Sequence, residues 1–369
     1  MGPLSGLKVI ELAGLGPAPF CGMLLGDLGA DVVRIDRLDQ PDLGIEMPPS
    51  HDLRNRNKRS IALDLKAPED HDLLMQLVAK ADILIEGFRP GVVEKLQIGP
   101  EDCWVRNPKL IYGRATGWGQ TGPLAKRAGH DINYIALTGA LALIGPASGA
   151  PVPPLNLLGD YAGGGAYLAF GLLAALYEVR ASGKGQVVDA AIIDGVTSMM
   201  SVFHGLRQLG KLNPGREANI LDGGAPYYRC YQTKDGQFIA VGAIETRFYL
   251  QFVQALGLDA GALPDRQQQE NWSYLTNLFA SIILSRSRDE WSEIFAEIDA
   301  CVSPVLNMEE VKSYPHHQVR EQLMVFNNIE CPQPAPRFSR TPGCIKRPAP
   351  IKGEHKAEIQ HDWEVERRS

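Results

Sequence analysis

The sequence has few of the features that mark secreted, metal-binding or membrane-spanning proteins. Its six cysteines are spread over 369 residues and none forms a C-x-x-C pair, so neither a zinc site, a redox pair nor a disulfide framework is indicated. The start, MGPLSGLKVIEL, lacks the basic and apolar regions of a signal peptide. The apolar uncharged run Tyr161–Tyr177 has 17 residues and is short for a membrane span. A cytoplasmic protein with no membrane partner is therefore expected, with this run as a buried helix.

Basic residues are not in excess, and several ligand-binding motifs are missing. The chain has 37 Lys and Arg against 43 Asp and Glu, a formal net charge of −6. This balance argues against a nucleic-acid partner, although a local basic patch could still bind a small anion. The sequence contains no G-x-x-x-x-G-K-[ST] and no H-E-x-x-H, so neither a P-loop nor a metal site is expected.

Strand and helix patterns alternate in the first third of the chain, which predicts a mostly parallel sheet covered on both faces. From residue 225 the pattern changes to a hairpin around Lys234-Asp235-Gly236 followed by helices. The fold class is therefore α/β, a large Rossmann-like parallel-sheet domain with a smaller α+β domain. The predicted strands of the first third are Leu7–Leu12, Asp31–Ile35, Ile61–Leu65, Asp82–Ile85 and Leu110–Gly113. The predicted domains are 1–190 (large), 191–224 (linker), 225–325 (small) and 326–369 (a return segment packing on the large domain).

The first strand and turn imitate a dinucleotide-binding site. Gly14-Leu15-Gly16 follows the strand, and Asp36 ends the next strand 20 residues later, where a ribose-binding acid is expected. However, Pro19 replaces the third glycine, and Pro17 and Pro19 remove two amide donors that a pyrophosphate needs. An ordinary βαβ turn is the favoured interpretation.

Three segments carry candidate chemistry, and each also has a plain structural interpretation. His130 lies in G-H-D-I-N-Y and could be a structural histidine. Asp160 lies at the expected N-cap of the long apolar helix, where a carboxylate caps free amides or faces a bound ligand. The adjacent Gly163–Gly165 would let a ligand approach the backbone closely. Glu245 follows a strand of the second domain and could simply start a helix.

Long stretches of the chain resemble the α-methylacyl-CoA racemases of the family III CoA-transferases. The resemblance runs over residues 4–339, most of the chain. Matching stretches are GDLGADVVRID, ADILIEGFRPGVVEKL, TGWGQTGP, AGHDINYIALTG, PVPPLNLLGDYAGG, SGKGQVVDAAIIDG, LDGGAPYY and FIAVGAIE.

This resemblance implies racemisation of 2-methylacyl-CoA thioesters. It assigns His130 and Asp160 as proton-transfer bases on opposite faces of the α-carbon, the histidine serving the S substrate and the aspartate the R substrate. Glu245 would orient the imidazole. It also implies an interlocked homodimer, in which Glu245 comes from the partner subunit. CoA is part of the substrate, and no cofactor is expected.

Two alternatives remain at this stage. In the transferases of the superfamily, the aspartate at the place of Asp160 is an acyl-accepting nucleophile. These usually carry a glycine-rich loop near the place of Glu245, which GAIETRFY is not. The other alternative is an inactive protein that binds CoA esters, against which the presence of all three candidate groups argues.

The resemblance also implies a set of CoA-binding residues. Arg37, Lys66, Arg89 and Lys95 could pair with phosphates, and Phe88 could lie beside the adenine. Lys95 stands where arginine is expected in relatives, so it keeps the charge but loses the bidentate fork. The full set is Arg37, Leu63, Asp64, Leu65, Lys66, Gly87, Phe88, Arg89, Pro90, Gly91, Val92, Lys95, Gly129, Asp131, Ile132, Asn133 and Tyr134.

Overall fold

The computed structural model describes residues 2–39, 45 and 47–366 and divides into two compact units. Unit 1 comprises Met1–Thr138, Pro154–Met200 and His316–Ser369, and unit 2 comprises Gly139–Pro153 and Ser201–Pro315.

The predicted linker 191–224 is divided between the two units at Met200. The helix just after residue 190 packs on the Asp160 segment of unit 1, which is why the predicted boundary moves. The return segment starts at His316, ten residues early, and its predicted last residues, 367–369, lie outside the described residues.

The regular elements follow the predicted alternation in the first third of the chain. The strands are β1 (Lys8–Leu12), β2 (Asp31–Asp36), β3 (Lys58–Ala62), β4 (Ile83–Glu86), β5 (Ile111–Thr116), β6 (Val187–Ala191), β7 (Tyr228–Gln232), β8 (Phe238–Gly242), β9 (Val302–Pro304), β10 (Leu323–Phe326) and β11 (Ile329–Pro332). The helices are α1 (Pro17–Asp27), α2 (Pro68–Lys80), α3 (Val92–Lys95), α4 (Pro100–Arg106), α5 (Asp131–Ala136), α6 (Tyr167–Ser182), α7 (Ile192–Met199), α8 (Ser201–Gln208), α9 (Thr246–Ala255), α10 (Trp272–Ile283), α11 (Arg288–Phe295), α12 (Met308–Val311), α13 (Pro315–Val319) and α14 (Lys356–Asp362).

Unit 1 is built on a six-stranded parallel sheet in the order β3-β2-β1-β4-β5-β6, which confirms the predicted parallel sheet. Because the chain reverses its direction of travel between β1 and β4, a crevice opens at the carboxyl ends of these strands. One apolar layer packs α2 and α14 on one face of the sheet, and the other packs α1 and α6 on the opposite face.

The long apolar helix has an unexpected beginning. A π-helical segment, Leu157–Ala166, precedes α6, so Asp160 lies inside a helix and not at its N-cap. The three glycines are buried because neighbouring helices approach them. A Cβ on Gly164 would lie 2.7 Å from Pro17 Cβ of α1, and one on Gly163 would lie 2.6 Å from a methyl of Val196 in α7. Helix packing, and not ligand approach, therefore accounts for these glycines.

Two other helices of unit 1 and its border with unit 2 are short. α5 ends at Ala136, and α7 and α8 are separated at Met200. The segment Leu157–Ser182 is long and apolar enough to cross a membrane by length and composition alone. One side of it lies in the core of unit 1 through Leu168 and Leu172, whereas Phe170 is 74% and Tyr177 80% exposed. The predicted buried helix is thus buried along one face only.

Unit 2 contains the predicted hairpin. β7 and β8 pair antiparallel, and β9 adds to β8. The turn between β7 and β8 uses Gly236 at φ 78°, a conformation that glycine adopts without strain. The helices α9, α10 and α11 supply an aromatic core that includes Phe252, Phe279 and Trp291. This core fixes the end of β8, which is where Glu245 follows.

Candidate active site

Most of the predicted CoA-binding residues follow three parallel strands of the same sheet. Arg37 comes directly after β2, Leu63–Lys66 after β3, and Gly87–Val92 after β4. Because the carboxyl ends of parallel strands share one edge of the sheet, these segments lie along the same edge. Six side chains of the set are exposed there, whereas Leu63 is buried in the core and offers only its backbone. The exposed six are Arg37, Asp64, Lys66, Arg89, Val92 and Lys95.

The loop after β4 is fixed by hydrogen bonds that involve charged side chains. Phe88 N–H donates to Glu86 Oε2 at 2.6 Å, and Arg114 Nη2 donates to Glu94 Oε1 in α3 at 2.5 Å. Burial raises the pKa of Glu86 to about 7. The loop is thus fixed at both of its ends.

Arg37 is paired within its own loop. Its Nε and Nη2 donate to the two carboxylate oxygens of Asp39 at 2.9 Å and 2.8 Å. Both side chains are largely exposed, and exposed ion pairs contribute only about 0–1 kcal/mol. An incoming phosphate can therefore displace Asp39 at little cost.

Asp160 is half-buried and held by two neighbours. Its backbone N–H donates to Asp131 Oδ1 at 2.6 Å, and Asn156 Nδ2 donates to its Oδ2 at 3.1 Å. Burial raises the pKa of Asp160, the Asn156 hydrogen bond lowers it, and the charge of Asp131 raises it again. The net direction is upward. The carboxyl group is therefore a better proton acceptor than an ordinary surface aspartate.

His130 is the N-cap residue of α5, and its side chain is exposed. Its backbone N–H donates to Asn133 Oδ1 at 3.0 Å, so the start of α5 is fixed. The charge of His130 lowers the pKa of Asp160, which places the two groups within electrostatic reach. Because Asp131 accepts the Asp160 amide, the start of α5, beside His130, is joined to the π-helical segment.

The remaining residues of the G-H-D-I-N-Y segment have mainly structural contacts. The Tyr134 hydroxyl donates to the Gly129 carbonyl, and the Tyr134 ring packs edge-on against Trp118 at 4.7 Å. Ile132 and Asn133 are exposed. The Asp131 carboxylate, which the resemblance places among the CoA-binding residues, is buried and accepts the Asp160 amide.

Three residues near Asp160 were not predicted from the sequence. Asn156 touches its carboxylate, the charge of Arg54 lowers its pKa, and a Cβ on Gly16 would lie 3.1 Å from its carboxylate atoms. Gly16 closes the turn that imitates a dinucleotide site. Because a carboxylate lies against this turn, a pyrophosphate there would be repelled, which supports the rejection of dinucleotide binding.

Glu245 belongs to unit 2, whereas His130 and Asp160 belong to unit 1. It is the N-cap residue of α9, and its side chain is exposed. Over the ranges 2–39, 45 and 47–366, no three His, Cys, Asp or Glu side chains are grouped so that they could hold a metal ion.

Comparisons with known proteins give a consistent family. The model of CoA-transferase family III matches residues 4–356. The chain is 44% identical to the "Alpha-methylacyl-CoA racemase" of Mus musculus, over 98% of this chain and 93% of that protein. It is 31% identical to the "Succinyl-CoA--D-citramalate CoA-transferase" of Chloroflexus aurantiacus, over 98% and 94%.

The fold is also found among solved structures. A crystal structure of a CAIB/BAIF family protein from Brucella suis has a TM-score of 0.85 and 27% identity, covering 98% of this chain and 99% of that one. On the family match and the mouse relative together, the chain belongs to CoA-transferase family III.

Proposed function

We propose that this protein is an isomerase that inverts C2 of 2-methylacyl-CoA thioesters by 1,1-proton transfer through an enolate. The observation that carries the proposal is that Asp131, next to His130 in the chain, accepts the Asp160 amide; the charge of His130, which lowers the pKa of Asp160, supports it. The name of the mouse relative, 44% identical over 98% of the chain, agrees with it.

The chemistry follows from the two groups. A thioester carbonyl acidifies the α-hydrogen by delocalising charge onto oxygen. One base removes this hydrogen from one face, and the conjugate acid of the other returns a hydrogen to the opposite face. Burial raises the pKa of Asp160, so its carboxyl group serves both as acceptor and as donor. The His130 imidazole serves the S ester and Asp160 the R ester.

Glu245 acts through the histidine. An exposed carboxylate at a helix start can accept a hydrogen bond from the imidazole and fix its tautomer. In our proposal it comes from the partner subunit of an interlocked homodimer. The exposed apolar face of α6, with Phe170 and Tyr177, supports a second copy there, since large exposed apolar patches mark interfaces. Light scattering should give the mass of a dimer, and a monomeric mass would refute this part.

CoA would lie along the carboxyl edge of the sheet as part of the substrate, with no other cofactor. The phosphates would pair with the exposed basic side chains of this edge, and the loop after β4 would contact the adenine through Phe88. Localisation in the cytoplasm remains our expectation. The phosphate-pairing residues are Arg37, Lys66, Arg89 and Lys95.

The deciding experiment follows the α-hydrogen. Each enantiomer of a 2-methylacyl-CoA ester is incubated with the enzyme in D2O. Inversion and α-deuterium incorporation are followed together by chiral chromatography and mass spectrometry. We expect both to occur, since the hydrogen returned to the substrate passes through groups that exchange with solvent. The assay is repeated with several 2-methylacyl-CoA esters. Inversion without any deuterium incorporation would refute an enolate intermediate. If neither inversion nor exchange occurs with any of these esters, the proposal that the protein is an isomerase is refuted.

The second candidate is a family III CoA-transferase in which Asp160 is the acyl acceptor. The family match and the Chloroflexus relative favour it. The Asp160 carboxylate would attack the thioester carbon, expel the CoA thiolate and form an anhydride that hydroxylamine can trap. Exchange of CoA between two acids together with a trapped acyl-aspartate would establish this candidate. An inactive CoA-ester-binding protein would show binding without either reaction.

A further inference from the structure

The loop that carries Glu245 is held at both ends by a single buried arginine. Arg266 is 7% exposed. Its Nη1 donates to the carbonyl of Ala243 at 3.1 Å, and its Nη2 donates to Thr246 Oγ1 at 3.4 Å. Ala243 and Thr246 flank Ile244 and Glu245 in the sequence. One guanidinium therefore joins the residue that ends the strand region to the residue that begins α9.

The guanidinium has an unusual environment for a buried charge. It lies between two aromatic rings, with centroid distances of 4.7 Å to Tyr227 and 4.4 Å to Tyr249. Within the described part of the chain, no carboxylate lies within 4.0 Å of it. Cation–π contacts with the faces of aromatic rings stabilise a desolvated guanidinium. The rings thus take the place of a counterion, so that both ends of the guanidinium fork remain directed at the loop.

The backbone of Arg266 is also anchored. Its carbonyl accepts a hydrogen bond from Trp272 Nε1 at 2.8 Å, and the Trp272 ring lies edge-on to Tyr227. The arginine is therefore attached to the start of α10, whereas the loop it holds belongs to the end of β8 and the start of α9. Because the planar guanidinium bonds two acceptors in the loop, the loop is held in a fixed position relative to the start of α10.

We propose that Arg266 is a positioning residue that sets the direction of the Glu245 carboxylate for its interaction with the His130 imidazole. This inference rests on the proposed function, in which Glu245 orients that histidine. Because Glu245 serves the histidine only, loss of the fork should slow removal of the α-hydrogen from the S ester. The R ester, which Asp160 serves, should exchange at nearly the original rate.

A purely structural role for Arg266 gives a different result. A destabilised unit 2 would reduce the amount of active enzyme, and both enantiomers would then exchange more slowly by the same factor. The informative quantity is therefore the ratio of the two exchange rates, which does not depend on the concentration of folded enzyme. The melting temperature is recorded beside it.

The experiment compares Arg266→Lys and Thr246→Ala with the unmodified enzyme. Lysine keeps the cation between the rings but lacks the planar fork that bonds both acceptors, and alanine removes one acceptor at an exposed position. Initial rates of α-deuterium incorporation into the S and R esters are measured in D2O at saturating substrate. We expect Arg266→Lys to lower the S-to-R ratio at least tenfold, and Thr246→Ala to lower it severalfold.

The matched control is Arg288→Met. Arg288 is also buried and also in unit 2, where it pairs with Glu310 at 2.6 Å and donates to the Val305 carbonyl at 3.1 Å. It touches neither Ala243 nor Thr246. This control should lower the melting temperature and leave the ratio unchanged.

Failure of this inference and failure of the proposed function give different results. A folded Arg266→Lys or Thr246→Ala enzyme with an unchanged ratio overturns the inference, as does an equal fall of the ratio in Arg288→Met. If the unmodified enzyme exchanges neither ester, the proposed function itself has failed.

Discussion

The two carboxylates assigned to the reaction are held in opposite ways. Asp160 is half-buried in unit 1, with a hydrogen bond on its carboxylate from Asn156 and a carboxylate on its own amide from Asp131. Glu245 is exposed at the start of a helix in unit 2, and its loop is held by Arg266, which bonds the Ala243 carbonyl and the Thr246 hydroxyl. The surroundings of Asp160 raise its pKa, which suits it to accept and return a proton. The second is exposed at the surface of unit 2, and in our proposal it orients the imidazole of His130.

This difference teaches how the two roles can be separated. A base that takes the substrate hydrogen needs a tuned pKa, which burial and hydrogen bonds supply. A carboxylate that orients an imidazole needs direction more than a shifted pKa, and a rigid loop supplies direction. Substitutions at Asp160 should therefore change chemistry and pH dependence, whereas substitutions around Glu245 should change how well the histidine works.

The largest effect is expected at Asp160. Asp160→Asn keeps the side-chain shape but removes the base, so inversion should fall by about 10²- to 10⁴-fold. The His130 side should still exchange the α-hydrogen of the S ester with solvent. Inversion and exchange are measured separately in D2O. If Asp160→Asn inverted the substrate at the rate of the unmodified enzyme, Asp160 would not be a proton-transfer base, and the comparison with Glu245 would fail.

A smaller loss is expected at Glu245. Glu245→Gln should lower the inversion rate by about 10- to 100-fold, or about 1.4–3 kcal/mol in the barrier, because the imidazole keeps a weaker partner. The loss should appear in kcat and not in KM. Glu297→Gln, an exposed carboxylate of the same unit, is the control and should leave both constants unchanged. If Glu245→Gln lowered the inversion rate as much as Asp160→Asn does, the two carboxylates would not have the different roles of base and orienting group.

The turn at Gly16 tests how closely the site is packed. Its φ is 64°, and a Cβ would lie 3.1 Å from the Asp160 carboxylate atoms. Gly16→Ala should lower the free energy of unfolding by roughly 1–2 kcal/mol through backbone strain and the inversion rate by about tenfold. In Gly6→Ala, where φ is 91° and nothing lies within 4 Å, stability alone should fall. Chemical denaturation and initial rates measure both, and equal rates in the two variants would contradict the prediction.

The finest test uses the pH dependence of Asp160. The charge of Asp131 raises the pKa of Asp160, and the Asn156 hydrogen bond lowers it. Asp131→Asn should therefore lower this pKa, so that R-ester exchange persists to lower pH. Asn156→Ala should raise it, so that exchange is lost at higher pH. The acid limb of kcat/KM for the R ester shows both shifts, and shifts of the same sign would rule out this account of the tuning.

Much of the fold was predictable, because parallel strands show as short apolar runs between helices. β1, β2 and β4 were predicted to within one or two residues. The π-helical segment at Asp160 was not, because its spacing depends on α1 and α7 packing against three glycines. Sequence periodicity assumes a regular α-helix, so Asp160 was placed at an N-cap and not inside a helical segment.

The site, like the fold, was predictable from the sequence only in part. The residue types of His130, Asp160 and Glu245 drew attention by themselves, and the resemblance gave them roles. The partners that tune them were not visible. Asp131 accepts an amide 29 residues away, and Arg266 bonds a carbonyl 23 residues away. Contacts to backbone atoms leave no residue-type signal at the distant position, so they become visible only in the three-dimensional structure.

One consequence concerns the order in which the chain is made. Trp363 is fully buried in the same core layer as Ile10 and Val33, and its Nε1 donates to Asp31 at 2.8 Å. The sheet that starts within the first dozen residues is thus completed by a side chain translated more than 350 residues later. All of unit 2 leaves the ribosome before this layer can close. During synthesis this part of the sheet face over β1 and β2 therefore stays uncovered, and a nascent chain halted before residue 363 would expose it to chaperones.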